Sequence, residues 1–210
     1  DPRGIGEAFL IGREFINEEP CALILGDNIF FSHAFPSYLK KARAQNNGAT
    51  IFGLWVQDPQ RFGVATIEKG TNKVTDLIEK PKNPVSNYAV PGLYFYDKNV
   101  CDIARNIEPS ARGELEITDI NMHYLQQGKL DIIRLERGFS WFDAGLPDAL
   151  LAASQFIGGM SQRQGLKISC PEEIAWHNGW ISRETLEESA KKMANSEYGQ
   201  YLDKVVLNGG

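Results

Sequence analysis

Two short acidic motifs stand more than a hundred residues apart in this 210-residue chain: Leu25-Gly26-Asp27-Asn28 and Trp141-Phe142-Asp143-Ala144-Gly145. The first follows an apolar run, residues 21–25, that reads as a buried strand. Asp27 therefore sits at a strand's carboxyl end, where open α/β sheets place their ligands. The second occupies a turn between a strand-like segment and a helix beginning near Pro147. One carboxylate from each of two strand-end turns can hold a hard cation against phosphate oxygens. Aspartates also form turns by bonding their own backbone, and residue type and spacing leave both readings open.

A second cluster of chemistry is Glu79-Lys80-Pro81. A lysine at a strand terminus reaches an anion as a mobile point charge, and the neighbouring carboxylate can accept hydrogen bonds from sugar hydroxyls. The competing reading is a solvated surface pair worth about 0–1 kcal/mol. Gly4, Gly6, Gly63 and Gly92 are places where a ligand could touch backbone. None belongs to the G-x-x-x-x-G-K-[ST] or G-x-G-x-x-G phosphate fingerprints. His33, His123 and His177 have no metal-ligand spacing and no serine–aspartate partner. In Ser110-Ala111-Arg112-Gly113-Glu114 the arginine stands at a helix entrance, either as part of that entrance or turned toward phosphate.

The elements that must position these groups alternate along the chain. A short helix over residues 8–16 ends at Asn17-Glu18-Glu19-Pro20, the 21–25 strand follows, and Phe35, Tyr38, Leu39 and Ala42 mark an amphipathic helix. Residues 49–56 read as another buried strand, so strand–helix–strand order predicts a right-handed crossover and a mixed, mostly parallel sheet flanked by helices. Residues 61–68 and 73–78 predict a hairpin about Lys69-Gly70-Thr71-Asn72. Residues 88–96 form a strand interrupted at Pro91-Gly92, which predicts a bulge or close backbone approach. Helices are expected over 99–107, 114–127 and from Pro147 to about 163, with a strand over 130–135. The remainder is a small helical appendage in which Ser182 is a candidate cap. The expected division is 1–158 for the main domain and 159–210 for the appendage.

Composition narrows the function. A 42% hydrophobic and 23% charged chain is that of an ordinary folded protein. Its net charge of −5 argues against a nonspecific nucleic-acid binder, whose footprint is basic. Cys21, Cys101 and Cys170 are widely spaced and odd in number, which speaks against a disulfide framework or zinc site and for a reducing compartment. No run of eighteen apolar residues and no signal-peptide pattern is present, so no membrane association is expected. The chain enters a helix-like pattern from its first residues, and an N-terminal portion of the natural protein is expected to be missing.

Taken together, these motifs resemble the sugar nucleotidyltransferases, and most closely the bacterial glucose-1-phosphate thymidylyltransferases. The resemblance runs the length of the chain. It is carried by Gly26-Asp27-Asn28-Ile29-Phe30, Asp58-Pro59-Gln60-Arg61-Phe62-Gly63-Val64, Glu79-Lys80-Pro81, residues 86–97, residues 109–119, Trp141 to Gly145 and Cys170-Pro171-Glu172-Glu173-Ile174-Ala175. It implies a Rossmann-like nucleotidyltransferase fold and transfer of a thymidylyl group from dTTP to glucose 1-phosphate, releasing pyrophosphate and giving dTDP-glucose for deoxysugar, rhamnose-type, and polysaccharide synthesis. It implies Mg2+ held by Asp27 and Asp143, with Lys80 acting beside them in catalysis. Gly63, Glu79, Lys80 and Val90 fall at positions that hold the sugar phosphate, Trp141 flanks the sugar and Gly4 contacts the base. Arg112 is implied as an aid to phosphate. A second, regulatory nucleotide site would involve Phe31, Ser32, His33, Arg137 and Glu173. A cytoplasmic homotetramer is implied as well, with the helical appendage building subunit contacts.

The chain departs from the family pattern in places. The N-terminal strand and glycine-rich loop that grips the triphosphate are missing, so this chain alone is expected to be inactive. The usual Asp-Thr-Gly turn is Asp143-Ala144-Gly145, which keeps the ligand and drops a hydroxyl. Two alternatives remain open at this stage. One is a metal-dependent nucleotide-sugar glycosyltransferase, which usually carries Asp-x-Asp where this chain has Asp27-Asn28; the other is a noncatalytic regulatory subunit of the same fold.

Overall fold

The computed structural model describes residues 3–45 and 47–209. Nine strands are described: β1 (Cys21–Ile24), β2 (Asn28–Phe31), β3 (Ala49–Trp55), β4 (Gly63–Ile67), β5 (Val74–Glu79), β6 (Tyr88–Val90), β7 (Leu93–Tyr96), β8 (Leu130–Leu135) and β9 (Ser140–Asp143). The helices are α1 (Glu7–Ile11), α2 (Arg13–Ile16), α3 (Phe35–Arg43), α4 (Val100–Asn106), α5 (Ile117–Gln126), α6 (Pro147–Gln164), α7 (Pro171–His177), α8 (Arg183–Lys192) and α9 (Glu197–Asn208). Two compact units divide the chain, Asp1–Ala149 and Leu150–Gly210, and α6 crosses the division. Among the described residues no helix is long and apolar enough to cross a membrane.

In the first unit the main sheet is built around β6 and β7, one extended segment broken at Pro91-Gly92. On one edge both halves pair with β3, Leu54 opposite Ala89 and Ile51 opposite Tyr94. On the other edge β7 pairs with β1 and β6 pairs with β4. The break thus lies where β1 ends and β4 begins. Adjacent residues of β3 point to opposite faces: Ile51 packs among Val100, Ile120 and Tyr124 of α4 and α5, and Phe52 among Phe30, Ile133 and Ala42 of α3. The result is a sheet covered by helices on both faces.

The mixed α/β class agrees with expectation, but the strand directions do not. Only β3 and β8 pair in parallel among the described strands; every other pairing is antiparallel. β1 and β3 do run the same way, since each is antiparallel to β7, but β7 lies between them. The helical connection therefore spans a strand instead of joining neighbours. The turns from β4 to β5 and β6 to β7 reverse or interrupt the chain locally, with no helix to return it in parallel. The strand-like segment before the Asp143 turn is present as β9, but its partner β2 and their pairing were not expected.

The second unit packs Leu186 and Ala190 of α8 against Leu202, Val205 and Val206 of α9. Ser182 caps α8 by accepting the Thr185 backbone N–H at 3.3 Å, as its position predicted.

One buried carboxylate ties the first unit's elements together. Asp97 follows β7 and accepts hydrogen bonds from Tyr124 Oη at 2.7 Å, from Gly48 N at 2.9 Å, and from Asn99 N and Nδ2 at 2.9 and 3.0 Å. Burial by itself would raise this carboxyl, but those donors outweigh it and hold the group below the usual aspartate range. A depressed folded-state value stabilises above the unfolded value of about 4, and that stabilisation is lost as pH falls through the folded value. Asp97→Asn is therefore expected to cost about 1.5–3 kcal/mol near pH 7. It should also flatten the loss of stability that the parent protein shows below about pH 4. Urea unfolding of both proteins across pH 2 to 7 checks this; parallel pH profiles would contradict it.

Candidate functional site

The two acidic motifs meet through the β2–β9 pair. Asn28 lies opposite Asp143, Ile29 opposite Phe142, Phe30 opposite Trp141 and Phe31 opposite Ser140. Ala144 N continues the ladder to Asp27 O at 2.8 Å. The two carboxylates consequently share one corner: a Cβ placed on Gly145 would lie 3.1 Å from Asp27 Oδ2 and 3.6 Å from Asp143 Oδ1. The absent side chain of Gly145 leaves that corner open. Two like charges so placed favour a cation between them. Among the described residues no set of three or more acidic, histidine or cysteine side chains is arranged to hold a metal by itself. The pair suits an ion of the magnesium kind, which takes one or two carboxylates and completes its shell with substrate phosphate and water.

Both aspartates line a cleft of about 240 Å³, which Gly63, Glu79, Lys80 and Val90 also line. The β4–β5 register sets Gly63 opposite Glu79, and the β4–β6 register sets it opposite Val90. A Cβ on Gly63 would stand 3.2 Å from Glu79 Oε2, so glycine leaves the carboxylate room. Thr118, at the start of α5, donates to that same oxygen at 2.6 Å and fixes the Glu79 rotamer. Lys80 adopts a left-handed φ of 43° and donates its backbone N–H to Phe62 O at 3.0 Å. A non-glycine residue held there costs free energy and marks functional positions more often than ordinary ones. Its Nζ is half-exposed at the cleft, 3.9 Å from Glu79 Oε1.

Trp141 lines the same cleft. Its ring packs on Phe62 at 4.7 Å between centroids, and its indole N–H reaches Asn28 Oδ1 at 2.7 Å. Gly92, at the break in the central segment, approaches so closely that an added Cβ would lie 2.6 Å from Leu25 Cδ1 and 2.9 Å from Asn28 Cγ. The close backbone approach expected at Pro91-Gly92 is present.

Other expected site residues lie elsewhere. Arg112 does not line the cleft. Its guanidinium is clamped by Glu116 at 2.8 to 3.1 Å, by Glu114 at 3.2 Å and more distantly by Glu79 at 3.9 Å. The Glu116 hydrogen bond, foremost, holds it above its ordinary pKa. Gly4 has a φ of 101° and packs on the Leu115 backbone, which explains the glycine without a ligand; its neighbour Ile5 reaches the cleft. Phe31, Ser32 and His33 close β2, where Ser32 Oγ accepts the Ala34 N–H at 3.2 Å. Arg137 lines a larger hollow of about 750 Å³ beside Tyr38, Lys41, Trp55 and Arg134. That hollow contains neither acidic motif, so size is a poorer guide here than the convergence of charged groups. Glu173 belongs to the second unit and accepts the Tyr201 hydroxyl at 2.6 Å. Thr118 and Phe62 were not anticipated: within a helix-period or loop pattern, nothing distinguishes a residue that orients a carboxylate from one that packs.

Residues 1–159 match the family described as nucleotidyl transferase, the class to which the layered sheet and the paired acids point. The chain is 48% identical over 208 residues to the glucose-1-phosphate thymidylyltransferase of Xanthomonas campestris pv. campestris, covering 99% of this chain and 70% of that one. It is 48% identical over 202 residues to that of Mycobacterium tuberculosis, covering 96% and 69%. Among solved structures, a putative glucose-1-phosphate thymidylyltransferase from Bacillus anthracis, in complex with a sucrose, superposes with a TM-score of 0.66. It is 40% identical, with coverage of 74% of this chain and 61% of that chain. The chain belongs to the nucleotidyl transferase family, among the glucose-1-phosphate thymidylyltransferases.

Gly92→Ala is expected to destabilise the protein by about 1–3 kcal/mol, because the methyl group must displace Leu25 or Asn28 from a packed position. Thermal or urea unfolding checks it, and a variant as stable as the parent would contradict the close approach.

Proposed function

We propose that Asp27, Asp143, Glu79 and Lys80 carry out thymidylyl transfer in this protein. The reaction joins dTTP and glucose 1-phosphate to give dTDP-glucose and pyrophosphate. The observation that carries the reading is the meeting of Asp27 and Asp143 at Gly145, in the same cleft as Glu79 and Lys80. The chain spans about 70% of the length of the curated relatives it matches, and the reaction is that of the whole protein.

A phosphate oxygen of the sugar phosphate attacks the α-phosphorus of dTTP. The bond from that phosphorus to the bridging oxygen breaks, and pyrophosphate leaves with its electron pair. The sugar phosphate is already a nucleophile near neutral pH, so no general base is required. The protein's work is alignment and charge. Asp27 and Asp143 would hold Mg2+, which would supply neutralisation of the α-phosphate. Lys80 offsets the charge of the incoming sugar phosphate. Glu79, its rotamer set by Thr118, accepts sugar hydroxyls, while Gly63 and Val90 shape the floor and Trp141 the wall. Residues 159–210 are proposed to build the contacts of a cytoplasmic homotetramer.

Asp27→Asn and Asp143→Asn should each lower kcat on the order of 10³-fold, about 4 kcal/mol of transition-state stabilisation. Unfolding midpoints should stay near the parent's. Pyrophosphate release by the full-length protein checks this, with dTTP preferred to UTP by the roughly 1–3 kcal/mol that a methyl pocket provides. Parent-like rates in either variant, or turnover with UTP only, would refute the assignment.

Phe31, Ser32, His33 and Arg137 are proposed to serve a second nucleotide site for feedback control. His33→Ala and Arg137→Ala should then relieve inhibition by dTDP-sugars without changing uninhibited kcat. Inhibition curves that superpose on the parent's would count against that site.

A further inference from the structure

One side chain that lines the cleft, Asn28, has no part in the mechanism above. Asn28 Oδ1 accepts the Gly92 backbone N–H at 2.9 Å and the Trp141 indole N–H at 2.7 Å, while Asn28 Nδ2 donates to Asp27 Oδ1 at 2.9 Å. Gly92 N–H and the indole N–H can only donate, so they fix which way the amide points, and its NH2 group must face Asp27. Each partner comes from a different piece of structure: the break in the central segment, strand β9, and the turn between β1 and β2.

The bond to Asp27 is selective between its two oxygens. Asn28 engages Oδ1, whereas Oδ2 is the oxygen that faces Gly145 beside Asp143 Oδ1. A carboxylate tethered at one oxygen has its rotamer set and presents the other. The same amide links onward to Lys80: Trp141 packs on Phe62, whose carbonyl receives the Lys80 backbone N–H at 3.0 Å.

We propose that Asn28 is a positioning residue that aims Asp27 Oδ2 at the metal corner and, through Trp141, holds the wall against which the sugar phosphate binds. This inference rests on the reading of Asp27 and Asp143 as metal ligands. Outer partners of metal-ligating carboxylates change affinity by about 10–100-fold when removed, which sets the size of the expected effect.

The test measures Mn2+ binding by isothermal calorimetry in the full-length protein without substrates, alongside steady-state kinetics. Asn28→Ala should weaken Mn2+ binding by about 10–100-fold and raise KM for glucose 1-phosphate. Trp141→Phe keeps a ring on Phe62 but withdraws the indole N–H, and should show a smaller shift in the same two quantities. It carries the test if Asn28→Ala does not fold. Parent-like Mn2+ affinity in both variants, with Asp27→Asn having lost binding, overturns the positioning role alone. Parent-like Mn2+ affinity in Asp27→Asn overturns the metal reading beneath it.

Discussion

A ribbon only four residues long on each strand, Asn28–Phe31 against Ser140–Asp143, governs whether this cleft can hold charge. Strand side chains alternate, so a register slip of one residue would turn a carboxylate to the opposite face. With Asn28 set opposite Asp143, residues 27 and 143 fall at the same end of the ribbon and Gly145 closes it without filling it. The free energy that secures the register comes from beneath. Phe30 is buried with Phe52, Leu93 and Ile133, and its ring stacks on Phe35 at 5.4 Å. A polar site thus stands on an apolar floor that cannot shift without exposing aromatic surface.

The part of the cleft lined by Gly63, Glu79 and Lys80 obeys a different constraint. β6 and β7 would form one uninterrupted strand but for Pro91-Gly92, and the interruption opens space where β1 stops and β4 starts. Into that space come Leu25, whose N–H bonds Gly92 O at 2.9 Å, and Gly63, which begins β4. A strand without the break would pair straight through and leave no cleft. Glycine at 92 keeps its neighbours in contact, and the half-buried Glu79 carboxylate accepts the Thr118 hydroxyl at Oε2.

Local pattern revealed much of this. The apolar run before Asp27, the 3.6-residue period of α3 and the Pro91-Gly92 interruption are properties of neighbouring residues, and each element formed; but the 21–25 run, expected as a buried strand, is a half-exposed one at the end of the strand order, with Ala22 and Ile24 facing outward. The pairing of β2 with β9 is not local: residues 28–31 are short, follow a turn, and acquire strand geometry only from a partner more than a hundred positions away. The same limit explains the mistaken strand directions, since β7 wedges between β1 and β3 through a tertiary choice that periodicity does not record. The two acids that meet at Gly145 were legible because their motifs carried a family resemblance. Asn28, Thr118 and Phe62 were not legible as positioning groups, because an amide, a hydroxyl or a ring takes that role only from what stands beside it. Arg112 shows the converse: a plausible phosphate hand in sequence is held by Glu116 and Glu114 in the fold.

Thymidylyl transfer by this cleft requires an ion shared by Asp27 and Asp143 at the corner beside Gly145. Anomalous diffraction from crystals soaked in Mn2+, collected at the manganese edge, examines that point without relying on turnover. A peak bridging Asp27 Oδ2 and Asp143 at about 2.0–2.6 Å is the predicted result. A peak bound elsewhere, with the two carboxylates turned to opposite sides of the ribbon, would contradict it.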